Sequence, residues 1–245
     1  MRTLILCEGK TDAILLSYLL QKESNWVYVK SKKGLWDIEE DDKKDESANW
    51  YKRDEDYILI CGVGGKDKFK GFFLDKLYEP IIQTQKSHNI DKIIYILDKD
   101  KDSFEMLEQK IFDDLQPICT DLLIDNWKEN KFLDAFGMEQ TVDVLGLVVP
   151  NDQEGALENV LLNALSGRAY DKNIVDKSVR FVEEIKQEAK EYIKNSRLEL
   201  KAKLSVVFAV RSPQKVFSLI DELIKSVNWE SYTNIKELFV KVLEL

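Results

Sequence analysis

The run Ile93-Ile94-Tyr95-Ile96-Leu97 stops abruptly at Asp98-Lys99-Asp100-Lys101-Asp102. A short apolar run rich in β-branched residues fits the inside of a parallel sheet covered on both faces by helices. Three further runs share its character: Thr3 to Cys7, Tyr57 to Cys61 and Leu145 to Val149, each ending in a polar or glycine-containing turn. Helical patterns alternate with them, which predicts an α/β fold with a parallel sheet and crossover helices. Ligand sites of such sheets lie outside the carboxyl ends of the strands. Glu8, the glycines after Cys61, the Asp98–Asp102 row, Asp152 and Glu154 would then share one edge, with Lys10, Lys66, Lys99 and Lys101 among them. Like charges this dense repel unless a cation neutralises them, and hard oxygen donors suit magnesium, manganese or calcium.

Composition limits the chemistry. His88 is the only histidine and lies in a polar segment, so histidine-dependent triads and histidine-ligated zinc lose support. The three cysteines have no CxxC spacing and sit in apolar surroundings, which reads as reduced core thiols of a cytoplasmic protein. No apolar run approaches the ~20 residues needed to span a bilayer. The net charge of −9 argues against indiscriminate polyanion binding, yet a local basic groove or bound cations can still admit nucleic acid.

In chain order, the turn Glu8-Gly9-Lys10-Thr11-Asp12 leads into an apolar helix from Ala13 to Leu20, with Thr11 or Asp12 as its expected N-cap. Trp26 to Lys30 reads as a strand, and the acidic stretch 37–56 as a solvated insertion. Gly62-Val63-Gly64-Gly65-Lys66 permits tight turning and close approach to a ligand. It lacks the endings of a P-loop or a dinucleotide fingerprint. Lys68 to Gln85 reads as a helix broken near Pro80, and Ser103 to Leu115 as an amphipathic helix capped by Ser103. Residues 117–144 look inserted, with a strand at Leu122-Leu123-Ile124 and a short helix near Phe132 to Phe136. A helix follows Gly155. The C-terminal part is helical: a long helix over about 176–202, a strand or buried turn at Ser205 to Ala209, then helices over 215–224 and 235–243. Pro213, Phe217, Trp229 and Phe239 are expected to pack this part. The division is an α/β domain over 1–165 and a helical extension over 166–245.

The motifs Cys7-Glu8-Gly9-Lys10-Thr11-Asp12, Gly62-Val63-Gly64-Gly65 and Leu97-Asp98-Lys99-Asp100-Lys101-Asp102, in this order on strand ends, resemble the Toprim fold of topoisomerases, bacterial primases and overcoming-lysogenization-defect (OLD) nucleases. The resemblance covers roughly residues 1–165. It is strongest to small stand-alone bacterial Toprim proteins, in which a Pro-Asn-x-x-x-Gly-x-Leu-Glu turn follows the last strand, as Pro150 to Glu158 does here. It implies a Rossmann-like parallel sheet and phosphodiester chemistry assisted by one or two magnesium or manganese ions. Glu8, Asp98, Asp100 and Lys10 become the catalytic set. Glu8, Asp98, Asp100, Asp102 and Glu158 become metal ligands, and Lys10, Gly64, Gly65 and Lys66 bind substrate phosphate. No nucleophilic-tyrosine domain, zinc-binding set or Walker motif is present. The expectation that survives is a small nuclease, or a nuclease subunit gated by an ATPase or other partner, acting on DNA or RNA, and a homo-oligomer is compatible with it.

Other readings compete. A non-catalytic Toprim-like module would bind metal or a partner without turnover. An Asp-x-Asp phosphatase would use Asp98 as nucleophile and Asp100 as acid, leaving Glu8 unexplained. An EF-hand is excluded, since its sixth loop position would be Ser103 and its twelfth Gln109. Lys201 and Lys203 fit either a solvated helix face or a late lysine over a transition-state phosphate.

Overall fold

The computed structural model describes residues 1–30, 35–36, 38–84, 90–188, 190–215 and 218–245. Asp37, His88 and Phe217, which figure in the expectations above, lie outside these residues. The core is a seven-stranded sheet in the order β2-β3-β4-β1-β5-β7-β6. Its strands are β1 (Arg2–Cys7), β2 (Val27–Val29), β3 (Ser47–Arg53), β4 (Asp56–Gly62), β5 (Lys92–Asp98), β6 (Lys128–Leu133) and β7 (Glu139–Val149). The central four, β4-β1-β5-β7, pair in parallel, whereas β3 and β6 run antiparallel to their neighbours. The four apolar runs are thus the four central strands.

Register brings their carboxyl ends level. Cys7 lies opposite Gly62 on one side and Ile96 on the other, and Asp98 lies opposite Val149. Period-two alternation sends each strand's side chains into two cores. Ile5, Cys7, Ile94, Ile96, Leu145 and Leu147 pack against α1 (Lys10–Glu23) and α4 (Leu157–Ser166), together with the C-terminal helices. Leu4, Leu6, Ile93, Tyr95 and Leu97 face the opposite side. There they meet α2 (Phe69–Phe72), the wide-turned helical segment Phe73–Ile82 and α3 (Phe104–Asp114).

Several expectations are corrected. The acidic stretch 37–56 is not simply an insertion, because it supplies β3. Ala48, Trp50 and Tyr51 are buried, and a tight turn at Asp54 (φ 53°) returns the chain to β4. Residues 128–133 form the edge strand β6, so the short helix expected near 132–136 is instead the end of a strand and a turn. Asp134 stabilises the following turn by accepting from the Phe136 and Met138 amides at 2.8 and 3.0 Å. Leu123 and Ile124 make only isolated bridges. Helix α1 begins earlier than expected: Gly9 is its N-cap, and Asp12 accepts the Gly9 amide at 3.1 Å. The helix after Lys68 is not broken at Pro80. Proline lacks an N–H, and the segment adopts wider turns, with the Gln83 amide reaching back to Tyr78 at 2.9 Å.

The expected long helix over 176–202 is a hairpin of two, α5 (Ala169–Lys186) and α6 (Ser196–Arg211). Asn195 caps α6 by accepting the Leu198 amide at 2.9 Å. Lys203, buried, pairs with Glu183 and Glu199 at 2.8 Å each, and Lys186 with Glu199 at 2.6 Å, which locks the hairpin. Residues 205–209 lie inside α6. The chain closes with α7 (Ile220–Ile224), α8 (Thr233–Leu238) and α9 (Val240–Leu243), around a fully buried Trp229. Among the described residues no helix is long and apolar enough to cross a membrane.

A candidate acidic site at the carboxyl edge of the sheet

Glu8 leaves β1 just as the chain turns into α1, and it is only 1 % exposed. Its Oε1 accepts the backbone amide of Asp98 at 3.0 Å, so the ends of β1 and β5 are tied by a candidate site residue. Asp98, 5 % exposed, in turn accepts the Leu157 amide on Oδ1 at 3.0 Å, at the start of α4. A carboxylate at a helix N-terminus satisfies an otherwise orphan donor and meets the positive end of the helix dipole. The loops after β5 and β7 are fastened together, since Asp100 exchanges both backbone hydrogen bonds with Gly155, at 2.7 and 2.9 Å. Glu158 follows on the first turn of α4, 7 % exposed.

The remaining candidates divide by their partners. Lys66, in the turn after β4, donates to the Asp98 carbonyl at 3.0 Å, to Asp100 at 3.4 Å and to Asp102 at 2.6 Å. Asp102 is thereby held by a lysine, and Asp100 stays 46 % exposed. Lys10 lies beside Asp45 at 3.0 Å, across the mouth of the turn. Gly65 gives its N–H to the Glu8 carbonyl at 2.8 Å, so that amide is already engaged and is not offered to a phosphate. Gly64 has φ +80°, and a Cβ there would fall 1.9 Å from the Lys44 carbonyl. Its need for glycine is explained by this close backbone approach.

Arg197 is no candidate in the sequence, and Asp12 enters it only as a motif residue and a possible helix cap. Arg197, at the start of α6, reaches Glu8 Oε2 at 3.2 Å and Asp98 Oδ2 at 3.9 Å. Nothing in its local sequence marks it; only the Asn195 cap and the hairpin bring it over the strand ends. Asp12, half-buried and holding the Gly9 amide, adds another acid to the cluster. Burial pushes its carboxyl up to about 7, assisted by the charges of Glu8 and Glu158. Asp98 is raised well above the usual carboxylate range by burial and then by Asp12, Glu8 and Glu158. Glu8 is raised by burial, against the opposing pull of Arg197, the Asp98 amide and Lys66. Burial lowers Lys66, but the hydrogen bond to Asp102 and the charge of Asp100 more than offset it, and its pKa ends up raised.

Among the described residues no group of three or more His, Cys, Asp or Glu side chains is disposed to hold a metal ion. The donor chemistry nevertheless fits a hard divalent cation. The charges of Glu8 and Glu158 raise the proton affinity of both Asp12 and Asp98, and a nearby cation would reverse that effect. Arg197 and Lys66 supply the counter-charge present.

Fold and site together define a mixed α/β protein with an acidic, arginine-bridged pocket at the carboxyl ends of its parallel strands. The chain matches the family described as a protein of unknown function (DUF3226) over residues 2–244, and it belongs to that family. A hypothetical protein from Pyrococcus horikoshii OT3, known from its crystal structure, is similar in fold. It has a TM-score of 0.51 at 17 % identity, with 100 % of this chain and 95 % of that one covered. No curated protein matches the chain.

Proposed function

We propose that this chain is a Toprim-like, divalent-metal-dependent phosphodiesterase acting on nucleic acid, either a small nuclease or the nuclease subunit of a defence or repair assembly. The observation that carries the reading is the meeting of Glu8 and Asp98, separated by most of the α/β region in sequence. They are joined at the end of adjacent strands by a 3.0 Å hydrogen bond and share one arginine. Magnesium or manganese, when bound, would supply charge neutralisation of the phosphate and activation of a nucleophile. Glu8, Asp98 and Asp100 are the carboxylates that would hold it, with Glu158 as a further candidate ligand. Glu8, its carboxyl raised by burial, is the carboxyl placed to move a proton. Hydrolysis joins a water oxygen to phosphorus and breaks one P–O ester bond. The water gives up a proton, and the departing oxygen takes one. Arg197 and Lys66, the cations bonded to these acids, would face the phosphate. Three buried free cysteines accord with a cytoplasmic location.

The same counter-charges favour a second reading, a non-catalytic metal- or partner-binding module, because Arg197 and Lys66 balance the acids without an ion. The phosphatase reading draws less support. One oxygen of Asp98 is engaged by the Leu157 amide and the other faces Arg197.

Calorimetric titration with magnesium and manganese tests the proposal, comparing wild type with Asp98→Asn/Asp100→Asn, alongside cleavage of single- and double-stranded DNA and RNA. Binding by wild type alone, with cleavage, is expected. Absence of binding by wild type removes the site assignment, and binding without cleavage of any substrate selects the non-catalytic module.

A further inference from the structure

A cavity of about 460 Å³ opens beside the carboxylate cluster, between the starts of α1 and α4 and the helices α6 and α7. That volume lies within the range of ligand pockets, roughly 300–1,000 Å³. Glu158 and Thr11 line its inner end. Glu158 follows Leu157, whose amide Asp98 accepts at 3.0 Å, so the cavity adjoins the cluster. The walls are apolar, from Leu204 and Phe208 on α6 and Ile220 and Leu223 on α7, while Lys201, Ser205 and Lys215 lie at the rim. Ile220, though apolar, is 43 % exposed there.

The spacing along α6 links these features. Arg197, Lys201, Ser205 and Ala209 are four residues apart and therefore share one face of the helix. That face starts at the acidic pair, where Arg197 bridges Glu8 and Asp98, passes Lys201 and runs along the cavity. A phosphate at Arg197 would have its neighbour along the strand near Lys201, and the attached base over the cavity mouth.

We propose that this cavity receives one unpaired nucleobase of the substrate, which makes the substrate of the acidic site single-stranded nucleic acid. The inference rests on the phosphodiesterase reading of that site. Net charge supports it independently. A chain of −9 with an acidic site gains little from phosphate contacts alone, so binding energy has to come from burying a base against apolar surface, here the aliphatic side chains of the cavity. A base held in a duplex cannot enter a cavity walled by four helices.

The test is fluorescence anisotropy in magnesium, using a labelled single strand of about ten nucleotides and the matching blunt duplex. The proteins are wild type, Ala209→Trp, which fills the mouth, and Lys201→Gln, with cleavage and magnesium calorimetry run on the same samples. Wild type should bind the single strand about tenfold more tightly than the duplex, and Ala209→Trp should lose about that factor, the size of one base no longer buried. Lys201→Gln should lower the slope of log affinity against log salt by about 0.7, the value for one phosphate contact on a single strand. Unchanged thermal unfolding of Ala209→Trp shows that its loss is local. Equal binding of strand and duplex, no binding of either, or wild-type affinity in Ala209→Trp overturns the pocket. If magnesium binds and cleavage proceeds while Ala209→Trp behaves as wild type, the pocket falls and the phosphodiesterase reading stands. If the strand binds as expected but magnesium neither binds nor supports cleavage, the pocket stands and that reading falls.

Discussion

Glu8 and Asp98 are buried carboxyls and Asp12 a half-buried one, all in one acidic cluster, and this arrangement has a measurable consequence in pH. Asp12 moves from an ordinary 3.8 to about 7 on folding, and Asp98 and Glu8 move in the same direction. Between those values the folded chain binds protons that the unfolded chain has released, so the stabilisation is complete below about pH 4 and is lost as pH rises through about 7. Without divalent ions, Asp12→Asn should flatten the dependence, and over that window wild type should lose roughly 5 °C or more of Tm relative to it. Added magnesium should restore part of the loss in wild type at neutral pH. Parallel Tm curves for the two proteins would show that Asp12 does not titrate in this way. Arg197→Gln removes a fixed cation from the same cluster. Magnesium should then bind more tightly in calorimetry, since a competing charge is gone, while kcat/KM for cleavage falls about a hundredfold for want of a phosphate-facing donor. Weaker metal binding in that variant would instead mean that Arg197 orients Glu8 for the ion.

At the scale of elements, Asp98 serves the end of β5 and the start of α4 together. Asp98→Asn keeps an oxygen for the Leu157 amide, whereas Asp98→Ala orphans it, so Ala should cost about 1 kcal/mol more in urea unfolding. Both should abolish metal binding. Equal stability of the two variants would show that the cap contributes nothing. The central strands were legible because continuous apolar runs of this length suit only buried strands. Strands β3 and β6 were not, because strands outside the central four are partly exposed to solvent and carry charges: Lys52 and Arg53 in one, Lys128, Glu129 and Lys131 in the other. The break between α5 and α6 was signalled by Asn195-Ser196 ahead of Glu199, but charged residues continue the helical pattern on both sides and hide it. That break decides where Arg197 lies.

For the whole molecule, the proposed boundary near residue 165 does not separate two cores. Leu15, Leu19 and Leu161 share one cluster with Phe208, Trp229, Phe239 and Val242. Tyr18 bonds Glu230 at 2.6 Å, Ser24 the Leu243 carbonyl at 2.7 Å, and Arg53 the Leu245 carbonyl at 2.5 Å. Trp229, fully buried with its indole N–H on the Ile224 carbonyl at 2.8 Å, is the centre of this contact. Trp229→Ala should cost about 3–5 kcal/mol, and a chain ending at Ser166 should show no cooperative thermal transition. Two separated transitions in the full chain, or a cooperative one in the shortened chain, would establish independent domains instead.

The sequence alone determined the central sheet and the strand-end position of the acids, because hydrophobic period and turn chemistry are local properties carried by consecutive residues. It also identified Glu8, Asp98 and Asp100 as one group, through the order of short motifs on strand ends. Tertiary structure alone decided which of those acids face one another, that Lys66 holds Asp102, that Gly65 has spent its amide on Glu8, and that Asp12 belongs to the cluster. It also brought in Arg197 and the cavity along α6. Those facts depend on contacts between residues as much as 189 positions apart, and no pattern along the chain encodes which distant side chain a folded helix will lay over a strand end.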